Sequence, residues 1–211
     1  MSLKRKQNIY YNGFNKRMII EKFFPTIVYA KDVELDNNKL AQDIINWSNQ
    51  DKGVEKTNYK GWHSTTDMGD KPEYQLLVTE LLRMQKEIYD HEHLDRYARL
   101  GNMWANINPP GGMNNPHVHP NALFSGVYYV KSQPQSGRLK IYDPRPGIQT
   151  NMPIRKPGNP GKDLWREAIL EPVVGRIIMF PAWLWHSVEE NTSNDIRISV
   201  SFNFIQDGFN G

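Results

Sequence analysis

The chain has no cysteine among its 211 residues. That excludes a disulfide framework and a thiol nucleophile. No apolar run approaches the roughly 20 residues that a membrane helix needs. No signal-peptide pattern is visible at the start. A dominant charge is also missing. The 26 basic residues stand against 23 acidic ones, for a net charge of +3, too balanced to argue for a nucleic-acid partner. The basic cluster Lys4-Arg5-Lys6 reads as a solvated end. These absences lead to the expectation of a soluble, cytoplasmic protein that uses neither membrane nor nucleic acid.

What is present suits a packed domain. Aromatic residues make up 11% of the chain, enough for few apolar positions to fill a core. Phe23 to Ala30 is aromatic and β-branched and predicts an early strand. Leu40, Ile44, Ile45 and Trp47 predict a helix over Asn37 to Ser48. Asn49 to Lys60 reads as a polar loop. Pro72 to Tyr89 is the best helical segment, with Tyr74, Leu77, Val78, Leu81, Met84 and Ile88 on one face.

From Met103 onward the period shortens to that of strands. Met103 to Asn108, Leu123 to Val130, Arg138 to Tyr142, Val173 to Phe180 and Ile196 to Phe204 are predicted strands. Pro109 to Pro116 reads as a loop. Pro144 to Gly161 holds five prolines and three glycines and reads as a long irregular excursion of the kind that covers binding sites. In the last strand Ile196, Ile198, Val200, Phe202 and Phe204 alternate with Arg197, Ser199, Ser201 and Asn203. The polar set faces either water or the lumen of a barrel. Helices followed by strands and Gly/Pro turns predict an antiparallel barrel or two-sheet roll with helices on one side.

Chemistry is concentrated in the histidines. His117-Val118-His119 places two imidazoles at i and i+2, on one face of a strand. His186 follows after Phe180-Pro181, Trp183 and Trp185. Arg197 lies 11 residues further on, with Ser199 behind it. Imidazole suits iron, zinc, copper and nickel, and an arginine fork can hold a carboxylate with two parallel hydrogen bonds. His91 and His93 share the same spacing but close a helix, where i and i+2 diverge. His63, in a loop after Trp62, reads as a packed or surface imidazole. The bland alternative for Arg197 is a surface ion pair with Asp195 or Glu190.

These residues, with Ser125-Gly126-Val127-Tyr128-Tyr129-Val130, Tyr142-Asp143-Pro144-Arg145 and Arg197 to Asn203, resemble the 2-oxoglutarate/Fe(II)-dependent oxygenases. The resemblance is closest to an uncharacterised bacterial and phage group. It covers nearly the whole chain and is strongest from residue 103. It implies a double-stranded β-helix, or jelly roll, with N-terminal helices packed on one sheet. The expectation is one domain over residues 1–211, with a helical part over about 1–100 and a jelly-roll core over about 101–206. It further implies Fe(II), 2-oxoglutarate and O2, with succinate and CO2 released as an unidentified substrate is hydroxylated. That substrate is a small molecule or a protein side chain, and a homodimer is compatible with the sequence. Arg197 and Ser199 match the family's clamp for the distal carboxylate of 2-oxoglutarate. Asn106, Asn108 and Tyr129 are candidate liners of the pocket.

The pattern departs from the family at one position. His119 stands where a carboxylate is expected. Either His117, His119 and His186 all hold the metal, or His119 and His186 do so with Asp143 reaching in from the next strand, position 121 being Asn. Two rival functions remain open on the sequence. A cupin-type metalloprotein without 2-oxoglutarate would explain Gly111 and the HxH motif, but Leu123 and Phe124 stand where its glutamate is expected. A non-catalytic jelly-roll binding protein would explain the missing carboxylate.

Overall fold

The computed structural model describes residues 18, 20–148, 150, 153–158 and 160–206. Lys4-Arg5-Lys6 lies outside them. The chain forms two antiparallel sheets packed face to face, a jelly roll, with two helices on the outside of the larger sheet. The elements run β1 (Tyr29–Asp32), α1 (Asn37–Gln50), β2 (Asn58–Tyr59), β3 (Trp62–His63), α2 (Gln75–Glu92), β4 (Arg99–Asn108) and β5 (Met113–His117). They continue with β6 (Phe124–Lys131), β7 (Leu139–Tyr142), β8 (Glu167–Leu170), β9 (Arg176–Pro181), β10 (His186–Val188) and β11 (Arg197–Ile205). The larger sheet has the order β1-β9-β6-β11-β4-β3, and the smaller β2-β5-β10-β7-β8.

Local chemistry sets the helix ends. The Asp36 carboxylate accepts a hydrogen bond from the Lys39 N–H at 3.0 Å and caps α1. A single 3-10 turn at Pro72–Tyr74 leads into α2, so proline sits in a first turn where its missing N–H costs nothing. His93 ends α2 in the left-handed conformation, its N–H donating to the Tyr89 carbonyl.

Alternation builds the two cores. Even-numbered residues of β11 (Ile198, Val200, Phe202, Phe204) face α1 and α2, with Met103, Ala105 and Ile107 of β4 and Tyr128 and Val130 of β6. Leu40 and Ile44 of α1 and Leu77, Leu81, Met84 and Ile88 of α2 complete this cluster. A smaller cluster fills the space between the sheets: Tyr129, Leu139, Ile141, Ile178, Phe180 and Leu184.

Several predicted boundaries move. The early strand occupies only Tyr29–Asp32. Pro25 lacks a ladder donor, and Phe24 takes φ +57°, outside the extended region. The predicted loop 109–116 shrinks to a turn, and β5 begins at Met113. Pro116 is tolerated there because the β5–β10 register shifts between the pairs His186–His117 and Val188–Asn114, so its missing N–H falls in a bulge. The strand expected at Val173 begins at Arg176, after a turn through Gly175 at φ +83°. The polar stretch 49–60 contains the end of α1 and the two-residue β2. Strands β8 and β10, four and three residues long, are too short to display a period.

Phe202→Ala is expected to cost about 3–5 kcal/mol of stability in urea unfolding, as a fully buried aromatic leaves a cavity. Ser201→Ala, on the opposite face of the same strand, is expected to cost about 1 kcal/mol.

Candidate metal centre

The odd-numbered face of β11 looks between the sheets, not outward. Arg197, Ser199, Ser201 and Asn203 line a cavity of about 360 Å³ with Asn102, Trp104 and Asn106 of β4. Of the two faces that the alternation allowed, the polar one is the lumen. The helices occupy the other side of the sheet and leave no water there.

At the smaller sheet the three predicted imidazoles converge. His117, the last residue of β5, stands directly opposite His186, the first of β10, with ring centroids 4.3 Å apart. His119 lies just beyond β5, in a turn rather than on the strand. Its N–H donates to the Ala182 carbonyl at 3.0 Å, which brings its ring to 4.9 Å from His117 and 5.1 Å from His186. The three offer ligand nitrogens within 4.8 Å of one another, a set that could hold a metal ion.

Hydrogen bonds and burial prepare these rings as ligands. Nδ1 of His117 lies 2.7 Å from the Asn115 carbonyl, and Nδ1 of His186 lies 2.8 Å from that of Leu184. A carbonyl only accepts, so each Nδ1 carries the proton and each Nε2 keeps its lone pair for a metal. Burial lowers the pKa of all three, and neighbouring imidazoles oppose the charge further on His119, which falls to about 3, and on His186, which falls to about 4. All three are therefore neutral at pH 7, the form that binds metal.

Asp143 does not join them. Its carboxylate accepts from Arg145 Nη2 at 2.6 Å and Nε at 2.9 Å and is flanked by Arg166 at 3.4 Å. It is no member of the cluster. Two guanidinium groups hold Asp143 away from the three imidazoles, which does not favour it as a ligand. His91 and His93 also stay apart. His91 packs edge-on against Tyr29, and His93 is a helix cap.

Arg197 is 1% exposed. Among the described residues no carboxylate pairs with it, and Asp195 binds Lys131 instead at 2.8 Å. Its Nη1 donates to the carbonyls of Ser136 and Gly137 at 2.7 and 2.9 Å, while Nε has no partner. Burial lowers its pKa to about 10, so it stays charged. A buried cation without a carboxylate partner among the described residues thus stands at the cavity wall. Gly137 makes room for it: at φ +90°, a Cβ there would lie 2.5 Å from Arg197 Nη1 and 2.2 Å from the Glu189 carbonyl oxygen.

Ser199 is paired in register with Asn106 on one side and Tyr129 on the other, so the three stand side by side on adjacent strands. All line the cavity. Burial pushes the Tyr129 phenol up to about 12, leaving it a protonated donor. Asn106 Nδ2 donates to Ser201 Oγ at 3.2 Å and Oδ1 is orphaned. Because the hydroxyl can also donate, a half-turn of the amide would keep this pair and put Nδ2 at the orphaned position. Asn108 is buried but lies outside the lining.

Sequence reasoning passed over several lining residues. His63 is buried, stacked on Trp104 at 5.4 Å and 12°, and forms part of the wall. Its two-residue strand carries no period. Asn102, Trp104 and Asn203 could have been found by extending the alternation of β4 and β11. Lys56 and Thr57 come from a loop with no local signal.

Residues 102–203, a little under half of the chain, match the family model described as "Putative 2OG-Fe(II) oxygenase". No curated protein matches the chain. Among solved structures, a Pseudomonas putida prolyl-4-hydroxylase is similar over 87% of this chain and 94% of its own, at 16% identity and TM-score 0.61. The α-ketoglutarate-dependent epimerase SnoN of nogalamycin biosynthesis aligns over 86% and 77%, at 13% identity and TM-score 0.64. HygX from Streptomyces hygroscopicus, solved with nickel and 2-oxoglutarate, aligns over 87% and 84%, at 9% identity and TM-score 0.60. At these identities the likeness is one of fold.

His117→Ala and His119→Ala are each expected to lose the bound divalent metal after reconstitution, whereas Asp143→Asn keeps it. Metal-to-protein ratios decide between the two ligand sets. Gly137→Ala is expected to cost about 1–3 kcal/mol, measured by urea unfolding, because it combines backbone strain with a clash against Glu189.

Proposed function

We propose that this protein is a 2-oxoglutarate- and Fe(II)-dependent dioxygenase that hydroxylates its substrate, a reading supported by the family-model match over residues 102–203. The carrying observation is that one cavity holds, at separate places on its wall, three neutral imidazoles and a buried arginine with no anionic partner. The donor set fits iron, since imidazole suits borderline divalent metals. The buried Arg197 guanidinium, with no carboxylate partner among the described residues, suits the distal carboxylate of 2-oxoglutarate. Nickel and 2-oxoglutarate in HygX support the same assignment for this fold.

His117, His119 and His186 would hold the iron from one side, leaving the cavity side open. When bound, iron and 2-oxoglutarate supply O2-dependent oxidative decarboxylation, with succinate and CO2 as products and a C–H bond as target. The chain's own part is binding and exclusion. Arg197 neutralises the distal carboxylate, Ser199 and Tyr129 donate hydroxyl protons towards the co-substrate, and Asn106 adds an amide donor. Val127, Leu139 and Phe180 form the apolar wall, which keeps water from the chelate. Phe180 also packs against His186 at 4.8 Å and fixes its ring.

Anaerobic addition of Fe(II) and 2-oxoglutarate to the apo-protein is expected to produce the visible charge-transfer band of the chelate. Admitting O2 should then yield succinate. Iron bound without the band would favour a cupin-type site, and no iron at all a non-catalytic scaffold. Arg197→Ala is expected to raise the 2-oxoglutarate concentration that half-saturates the band by about 10- to 100-fold, the loss of a charged hydrogen-bonding partner.

A further inference from the structure

Among the described residues the cavity wall contains no aspartate or glutamate. Its ionisable members are Lys56, His63, His117, His119, His186, Arg197 and Tyr129. The imidazoles are neutral ligands or, for His63, buried in a stack on Trp104, and the Tyr129 phenol is protonated. The fixed charges are therefore Lys56 and Arg197, both positive. In the oxygenase reading, on which this inference rests, Arg197 is matched by the distal carboxylate of 2-oxoglutarate. An iron held by three neutral imidazoles keeps its full double charge, and the proximal carboxylate of the co-substrate offsets only one unit. One positive charge on the chelate and one on Lys56, an exposed residue of the wall, remain without a counter-ion.

Lys56 is placed, not merely nearby. Its loop is stitched to the strand that carries His117. The Thr57 carbonyl accepts from the Asn115 N–H at 2.9 Å, Thr57 Oγ1 accepts from Asn114 Nδ2 at 3.5 Å, and the Lys56 N–H donates to Asn58 Oδ1 at 2.7 Å. No carboxylate pairs with its ammonium among the described residues. Glu55, next in the chain, is exposed and outside the wall. Lys56 itself is one of the lining residues of the cavity.

We propose that the molecule oxidised in this cavity is a small anion bearing a carboxylate or phosphate group, and that Lys56 holds that group at the cavity mouth. A cationic substrate would meet repulsion from both uncompensated charges, and a neutral one would leave them unmatched. The anion offsets at least one of them and orients the remainder of the molecule towards the metal.

The test uses the protein loaded anaerobically with Fe(II) and 2-oxoglutarate, as wild type, Lys56→Gln and Lys56→Glu. Three probes are titrated against the chelate band: N-acetyl-L-alanine, inorganic phosphate and the uncharged N-acetyl-L-alaninamide. All three proteins should form the band at the same 2-oxoglutarate concentration. At least one anion should perturb it at about tenfold lower concentration than the amide. Lys56→Gln should weaken that response about three- to tenfold, and Lys56→Glu more. Comparing the carboxylate with phosphate identifies the group. A normal band with equal responses to anions and amide overturns the proposal, as does an anion response that Lys56→Gln leaves unchanged, the mark of an anion sitting on the metal alone. Absence of the band in wild type overturns the oxygenase reading first and this inference with it.

Discussion

Strand β11 is hydrogen-bonded along both edges, to β4 from Arg197 to Ile205 and to β6 from Ile198 to Phe204. Side chains on a strand alternate, so a slip of one residue would exchange its faces. It would drive Ile198, Val200, Phe202 and Phe204, all fully buried, into the polar lumen and the polar set into the helical core. At about 1.5–3 kcal/mol per large apolar side chain, lost burial alone would cost about 6–12 kcal/mol. That is comparable with the whole stability of an ordinary domain. The register that secures the core thus also secures the site. It holds Arg197 in the cavity and aligns Ser199 between Asn106 and Tyr129.

The same arrangement stores an electrostatic imbalance. A guanidinium without a carboxylate partner is costly to bury, and two carbonyls satisfy only part of its donor capacity. Three imidazoles are kept neutral at the opposite end of the cavity by burial. Neither end is relaxed alone. A dianion that spans them would satisfy Arg197 at one end and complete a metal's coordination at the other. Such a ligand binds the folded state only and stabilises it by mass action.

Much of this was legible from residue order. The alternations of β4, β6 and β11 identified the central strands, and the apolar face of α2 identified the helix that covers them. His117, His119, His186 and Arg197 stood out because their chemistry is hard to explain otherwise. Short strands were not legible. β10 has three residues, too few for a period, although it carries His186. β5 was hidden by Pro116 and by a polar composition that suggests a loop, and only the bulge against β10 makes that proline acceptable. His63, read as a packed or surface imidazole, is packed, but its place in the cavity wall had no local signal because its partner Trp104 lies 41 positions away.

Residue identity by itself determined the donor types, the two-residue period of the sheet and the absence of thiol chemistry. It also narrowed the metal ligands to two sets. Only the tertiary structure showed that Asp143 is tied to Arg145 and Arg166 while His119 stands beside His117 and His186. It alone turned the polar face of β11 inward, because helices cover the other face, and it alone brought Lys56 to the cavity. The reason is geometric. Spacing along a strand fixes which face a side chain takes, but the meeting of residues 56, 117, 186 and 197 depends on sheet pairing and on turns that no local pattern encodes.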